Sequence, residues 1–163
     1  MKILKIKSKY YLALIGTLII MTSSIFLPIM VPGNTNFPWG INGYIWMWGF
    51  WIDISGEYMG MLSNVSIYGI IFSIIIFVFA VKNVKFLLEF RKNQNFTEKM
   101  NKNSLLFAIL TICLTTLWLT FFMIIPLGGT NLYNYHIIGY GFILNIIGGG
   151  LVLISVILKS QDS

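Results

Sequence analysis

Four long runs of apolar residues dominate the hydrophobic pattern of the chain. They cover residues 10–31, 59–81, 104–126 and 136–158, and none contains lysine, arginine, aspartate or glutamate. As a helix that rises 1.5 Å per residue, such a run is about 35 Å long and exceeds the roughly 30 Å hydrocarbon core of a bilayer. A lone apolar run can pair all its backbone groups in lipid only as a helix. The pattern therefore predicts an all-α integral membrane protein, a bundle of four transmembrane helices.

Composition supports this class. Of the 163 residues, 57% are hydrophobic and only 10% are charged, and the mean hydropathy is +0.83. A soluble domain carries about a quarter charged residues, and a globule of this size could not hide so much apolar surface from water. We therefore expect residues 1–163 to form a single membrane domain. The one cysteine, Cys113, excludes an internal disulfide, and its apolar surroundings predict a small buried side chain.

Basic residues are confined to one side of the predicted bundle. All eleven lysines and arginines precede the first run, lie in the inner loop 82–103 or follow the fourth run, and the loops 32–58 and 127–135 carry none. Because positively charged loops stay in the cytoplasm, we expect a cell-membrane protein with both termini inside and these two loops outside. The charge of +8 inside against −2 outside indicates topology and contact with anionic headgroups rather than nucleic-acid binding. An apolar run that extends to Val31 also favours an uncleaved first helix over a secretory signal.

The first outer loop concentrates aromatic residues and carries a turn signal. Asn42 followed by Gly43 suits a type I′ turn, in which both central residues need positive φ. This signal predicts a β-hairpin between residues 37–41 and 44–48. Side chains of a strand alternate between its two faces, so the even-numbered residues of the second strand are expected on one face and the odd-numbered ones on the other.

The aromatic side chains of this loop allow two interpretations. They could form an interfacial belt that lies on the lipid headgroups and caps the bundle. They could also form a recognition surface, because a contiguous aromatic patch exposed to water usually marks a partner. The candidate interaction residues are Trp39, Tyr44, Trp46, Trp48, Phe50 and Trp51.

The same loop resembles that of a known group of four-span proteins. Trp39 followed by Gly49-Phe50-Trp51 resembles the claudin and peripheral-myelin-protein group, in which a tryptophan precedes Gly-Leu-Trp and two cysteines in an outer β-ribbon. This chain departs from the group in its phenylalanine, in a shorter loop and in Ile54, which stands where the first cysteine is expected. Its C-terminus is also unlike the adaptor-binding tail of claudins. The resemblance implies a role in adhesion, assembly or membrane organisation.

Small and polar residues recur along the third and fourth runs. Small residues spaced four apart let helices approach closely, and hydroxyl or amide groups can hydrogen-bond between helices. The set therefore predicts either a helix-packing seam or the lining of a narrow pore or substrate pocket. It comprises Thr111, Thr115, Trp118, Gly141, Asn145 and Gly149.

Candidate chemistry is sparse. Asp53, Glu57 and His136 lie at the same predicted membrane level, and two carboxylates with an imidazole could bind a metal ion. Acidic residues in an outer loop also simply follow topology. The chain contains no nucleophile elbow, phosphate loop, zinc motif or thiol pair. We expect no metal or cofactor and favour a non-enzymatic protein, with a membrane enzyme built on these three residues as the remaining alternative.

These patterns lead to one functional expectation and one alternative. We expect a protein of membrane assembly or protein–protein interaction, acting through its outer aromatic loop as an accessory subunit or a self-associating organiser. Its partners would be the lipid bilayer and either a second copy or another membrane protein. The alternative is a transporter or channel for small neutral solutes that uses the seam of the third and fourth helices.

Overall fold

The computed structural model describes residues 2–32, 43–48, 50–53, 59–61, 66–92, 97–124 and 136–157. Four helices make up most of this part of the chain. Each contains a segment that is long and apolar enough to cross a membrane, as the apolar pattern predicts. The helices are α1 (Lys2–Phe26), α2 (Ser66–Lys92), α3 (Thr97–Ile124) and α4 (Tyr140–Ile157).

The four helices pack as a ring in which each contacts two neighbours. Helix α1 packs against α2 and α4, and α3 packs against the same two, with the most extensive contact between α1 and α4. The outward surface of the ring is apolar; Ile74 and Val78 of α2, for example, are both exposed. Several buried positions are polar instead, among them Asn83 and Asn145. Lipid suits such an apolar exterior, because water gains nothing by contact with it.

A five-stranded antiparallel sheet covers one end of the bundle, which we call the sheet end. Strand β1 follows α1 directly and β5 precedes α4, so these two strands join the sheet to the two helices that pack most closely. The strand order is β4-β3-β2-β1-β5. The strands are β1 (Pro28–Pro32), β2 (Gly43–Trp46), β3 (Phe50–Asp53), β4 (Met59–Met61) and β5 (His136–Ile138).

The sheet includes residues that the apolar pattern assigned to membrane spans. Residues 28–31, 59–61 and 136–138 are strand rather than helix, so these ends of the predicted spans are wrong. Apolarity alone does not distinguish a buried strand from a helix. Pro28 ends α1 because proline lacks the amide donor that a helix interior needs. At the opposite end, α2 and α3 extend into the predicted inner loop 82–103.

Of the predicted hairpin, residues 37–41 lie outside the described residues. Residues 44–46 of its second strand belong to β2, which pairs with β1 along one edge and with β3 along the other. The turn of the observed hairpin follows β2 at Met47 and Trp48. Gly43 lies inside the ladder, opposite Asp53. The predicted alternation is confirmed, because Ile45 is buried while the preceding Tyr44 is 41% exposed.

One hydrophobic core joins the bundle to the sheet. It contains buried residues of all four helices together with Met30 and Ile45 from the inner face of the sheet. The prediction for Cys113 is wrong, because its side chain is exposed on the outward side of α3. The inward side of that helix is occupied by Thr111, Thr115 and their neighbours at helical spacing.

Candidate functional site

Three of the predicted interaction residues cluster at the C-terminal end of α1. The indole Nε1 of Trp46 donates to the carbonyl oxygen of Phe26 at 3.0 Å, and that of Trp48 donates to the carbonyl oxygen of Ile25 at 3.3 Å. The Phe50 ring stacks on Trp48 with 4.9 Å between centroids and lies 5.7 Å from Trp46. The last carbonyls of a helix have no partner within the helix. These two tryptophans therefore cap α1.

Tyr44 and Trp51, two further residues of the set, differ in their surroundings. Trp51 packs against the hydrophobic core, and its indole nitrogen lies 3.1 Å from the position that a Cβ on Gly60 would occupy. Tyr44 is exposed, and its neighbour in β2, Ile45, is fully buried. Trp39 lies outside the described residues.

Tyr44 belongs to an apolar row on the sheet surface that faces away from the bundle. It pairs with Ile52 of β3, which in turn pairs with Met59 of β4. At the other edge Val31 of β1 pairs with Ile137 of β5. Met59 and Ile137 are 66% and 59% exposed.

A second row crosses the same surface beside the first. Phe50 pairs with Met61, and Pro28 pairs with Trp46, whose ring contacts Phe50. An antiparallel sheet with one face in water normally alternates apolar and polar residues. We call the two rows together the outward face: Val31, Tyr44, Ile52, Met59 and Ile137, with Pro28, Trp46 and Phe50. No residue of this face is charged.

A polar network links three helices inside the bundle toward the opposite end. The amide Nδ2 of Asn83 on α2 donates to the Thr17 hydroxyl on α1 at 2.9 Å, and Ser104 on α3 donates to Asn83 Oδ1 at 2.8 Å. Thr17 in turn donates to the Ala13 carbonyl at 2.7 Å. All three polar side chains are buried. Every polar atom of the Asn83 amide therefore has a protein partner.

A second polar group lies nearer the sheet end. Asn145 of α4 is 1% exposed, and its Oδ1 lies 2.6 Å from the Ser23 hydroxyl and 3.1 Å from the Ser24 hydroxyl of α1. Its Nδ2 has no hydrogen-bond partner among the described residues. The hydroxyls of Thr111 and Thr115 on α3 are fully buried and also lack a partner within this part of the structure.

All six predicted seam residues are buried inside the structure, and their glycines mark close contacts. A Cβ on Gly149 would lie 2.7 Å from the Ile112 side chain, and one on Gly141 would lie 2.6 Å from the Leu27 carbonyl oxygen. Gly148, which the sequence analysis did not single out, meets Gly16 of α1 in the same way, with 2.8 Å to its carbonyl oxygen. Such contacts support the packing seam over an open pore.

Sequence reasoning missed the partners of these asparagines. Asn83 fell within the predicted inner loop because Lys82 and Lys85 flank it. The available signal was its position between Ala80 and Leu87, which are buried at helical spacing in α2. The serines and threonines of α1 carried no distinctive pattern, since hydroxyl residues occur on all sides of that helix.

The alternative metal set does not come together. Asp53 lies in β3 and His136 in β5, and β2 and β1 separate these strands. At about 4.8 Å between strands, their backbones are roughly 14 Å apart. Glu57 lies outside the described residues. Within the described ranges no three histidine, cysteine, aspartate or glutamate residues cluster as metal ligands.

Comparison of the chain with models of protein families, with curated proteins and with solved structures gave no significant match.

Proposed function

We propose that this is an integral membrane protein of the cell membrane that acts in assembly or protein–protein interaction through the outward face. Both termini and the opposite end of the bundle lie in the cytoplasm, and the sheet lies outside. Support for this orientation comes from the cations. All eleven lysines and arginines lie near the chain ends or in residues 82–102, where α2 ends and α3 begins, and such segments stay in the cytoplasm.

The observation that carries the proposal is the apolar outward face. The inner face of the sheet already packs on the bundle core through Met30 and Ile45. A small sheet with a second apolar face, exposed at Tyr44, Met59 and Ile137, gains stability when a partner covers that face. Tyr44 lies in the middle strand of the five, and tyrosine is among the side chains that contribute most to binding at interfaces.

The partner is another membrane protein or a second copy of this chain. The resemblance of the loop around Phe50 and Trp51 to the claudin and peripheral-myelin-protein group supports the same role, since it implies assembly or membrane organisation. The transport alternative has less support, because the contacts of Gly16, Gly148 and Gly149 leave no room for an added methyl group.

Site-specific photo-crosslinking tests the proposal. A benzophenone-bearing residue replaces Tyr44 in the full chain, and cells are irradiated before solubilisation. We expect a discrete protein adduct, identified by mass spectrometry as this chain or as another membrane protein. The matched control places the same residue at Tyr11, which is similarly exposed on α1 outside the sheet.

A second change tests the role of the surface. Ile52→Lys adds a charge to the outward face and is expected to abolish the adduct at position 44, because an unpaired charge in an apolar interface is strongly unfavourable. Adducts with lipid alone, or equal protein adducts at positions 11 and 44, would contradict the proposal. A folded chain is verified by its circular dichroism spectrum and by an unchanged elution volume in detergent.

A further inference from the structure

The two most deeply buried amides of the bundle differ in how completely they are paired. Asn83 uses both Oδ1 and Nδ2 in hydrogen bonds to α1 and α3. Asn145 faces two serines through one of its polar atoms only. A buried polar atom without a partner is unfavourable because it has lost its hydrogen bonds to water. An amide that is paired through one of its two polar atoms therefore indicates a binding partner for the other.

The missing partner must be able both to donate and to accept. Ser23 also lies 2.7 Å from the carbonyl oxygen of Ile19, and its hydroxyl has only one proton to give. If that proton goes to Ile19, Ser24 can still donate to Oδ1 at 3.1 Å, which leaves Nδ2 unpaired, or the amide can turn its Nδ2 toward the Ser23 oxygen, which leaves Oδ1 unpaired. If the proton goes to Asn145, Nδ2 is the unpaired atom. In either case one amide atom faces away from the serines.

Two further polar atoms lie close to the level of this amide. Gly149 of α4 packs against Ile112 of α3. A helix rises 1.5 Å per residue, so Asn145 and Thr115 each lie about one turn closer to the sheet end than the contact between Gly149 and Ile112. Thr111 lies beside Ile112 at the level of the contact itself. Both threonine hydroxyls are unpaired among the described residues and fully buried, and they share the inward side of α3.

We propose that the bundle binds water between α3 and α4, held by Asn145, Thr115 and Thr111. Water is small and can both donate and accept hydrogen bonds. It can therefore pair with the Asn145 amide in either orientation and with the two threonine hydroxyls. Buried waters typically make about three hydrogen bonds to polar groups that otherwise have none. None of the three residues is ionisable, which favours a neutral ligand over an ion.

Buried or closely packed residues lie on both sides of the site along the bundle axis. Toward the opposite end, Gly148 meets the backbone of Gly16 and Gly149 meets Ile112. Toward the sheet end, the buried side chain of Trp118 lies one turn beyond Thr115. The site is therefore a bound hydration site inside the packing seam and does not provide a route through the bundle.

Nuclear magnetic resonance of the full chain in lipid bilayers tests this inference. We expect cross-peaks between water protons and the side-chain amide protons of Asn145. The double variant Thr111→Val/Thr115→Val removes two of the three proposed partners and is expected to abolish these cross-peaks. The matched control is Thr120→Val, because Thr120 is exposed and already donates to the Thr116 carbonyl.

Absence of water cross-peaks at Asn145 in the unmodified chain would overturn the proposal, whether or not the variants fold. Cross-peaks that persist unchanged in the double variant would also overturn the assignment to these threonines. Neither outcome affects the proposal for the outward face, because the two tests change different residues. The first changes Tyr44 and Ile52 on the sheet, and the second changes Thr111 and Thr115 inside the bundle.

Discussion

Trp46 has the features of a recognition residue and also stabilises the fold. Its ring contributes to the outward face, and its indole N–H closes the end of α1 at the Phe26 carbonyl. Trp48 does the same at Ile25 and stacks on Phe50. Because an indole combines a large apolar ring with one donor, it suits a site that is apolar on one side and polar on the other. In this cluster the belt interpretation therefore applies to the indole N–H groups, and the partner interpretation applies to the apolar rings.

The capping role gives a prediction at this scale. Trp46→Phe keeps an aromatic ring but removes the donor, so it should lower the free energy of unfolding by about 1 kcal/mol. Tyr44→Phe is the control, since Tyr44 lies on the same strand and its hydroxyl donates no hydrogen bond to the sheet or to α1 within the described residues. The midpoint of unfolding in mixed detergent measures both. Equal stability of the two variants would argue against a cap by Trp46.

At the scale of elements, glycine sets how closely α4 approaches its neighbours. Helix α4 carries three consecutive glycines, and only some of them meet another helix. A Cβ on Gly148 would lie 2.8 Å from the Gly16 carbonyl oxygen, which is backbone and cannot move aside alone. A Cβ on Gly150 would meet nothing within 4 Å. Within this run, Gly148 therefore packs against α1, whereas Gly150 makes no such contact.

These two glycines form a matched pair of variants. Gly148→Ala should destabilise the protein by about 1–3 kcal/mol, because overpacking moves α4 away from α1. Gly150→Ala should be neutral or stabilising by up to about 1 kcal/mol, because alanine favours a helix over glycine. Unfolding in mixed detergent separates the two variants. Similar losses for both would contradict the close approach at Gly148.

At the scale of the whole molecule, the positive charges predict the orientation in the membrane, and the ring of four helices encloses the interior. Lys82 and Lys85 of α2 are exposed at the opposite end, away from the sheet. The Lys85 ammonium lies 3.9 Å from Glu89 one turn along the helix, at a surface where such a pair contributes little. We therefore expect these cations to affect topology rather than stability.

The proposed orientation predicts the outcome of surface labelling. A membrane-impermeant amine reagent applied to intact cells should leave Lys82 and Lys85 unmodified, and it should modify both after the membrane is permeabilised. Peptide mass spectrometry measures the two yields. A cytoplasmic lysine-bearing protein is the control for cell integrity. Modification of either lysine in intact cells would place the sheet on the cytoplasmic side and remove the proposed role of the outward face.

The number of helices long and apolar enough to cross a membrane and the inward residues of α3 and α4 followed from local pattern alone. Apolar length predicts the helices, and the spacing of Thr111, Thr115, Asn145 and Gly149 places them on buried sides, because both properties depend on residues within a few turns. The alternation of Tyr44 and Ile45 is local in the same way.

The sheet and the polar contacts required the folded chain. Strand β1 pairs with β5 more than a hundred residues later, and no local pattern shows that residues 28–31 and 136–138 leave the helices to meet. The bond from Asn83 to Thr17 and the cap of α1 by Trp46 likewise join segments that are distant along the chain. Hydrophobic periodicity indicates which side of an element is buried. The identity of the neighbour on that side depends on how all the elements pack together.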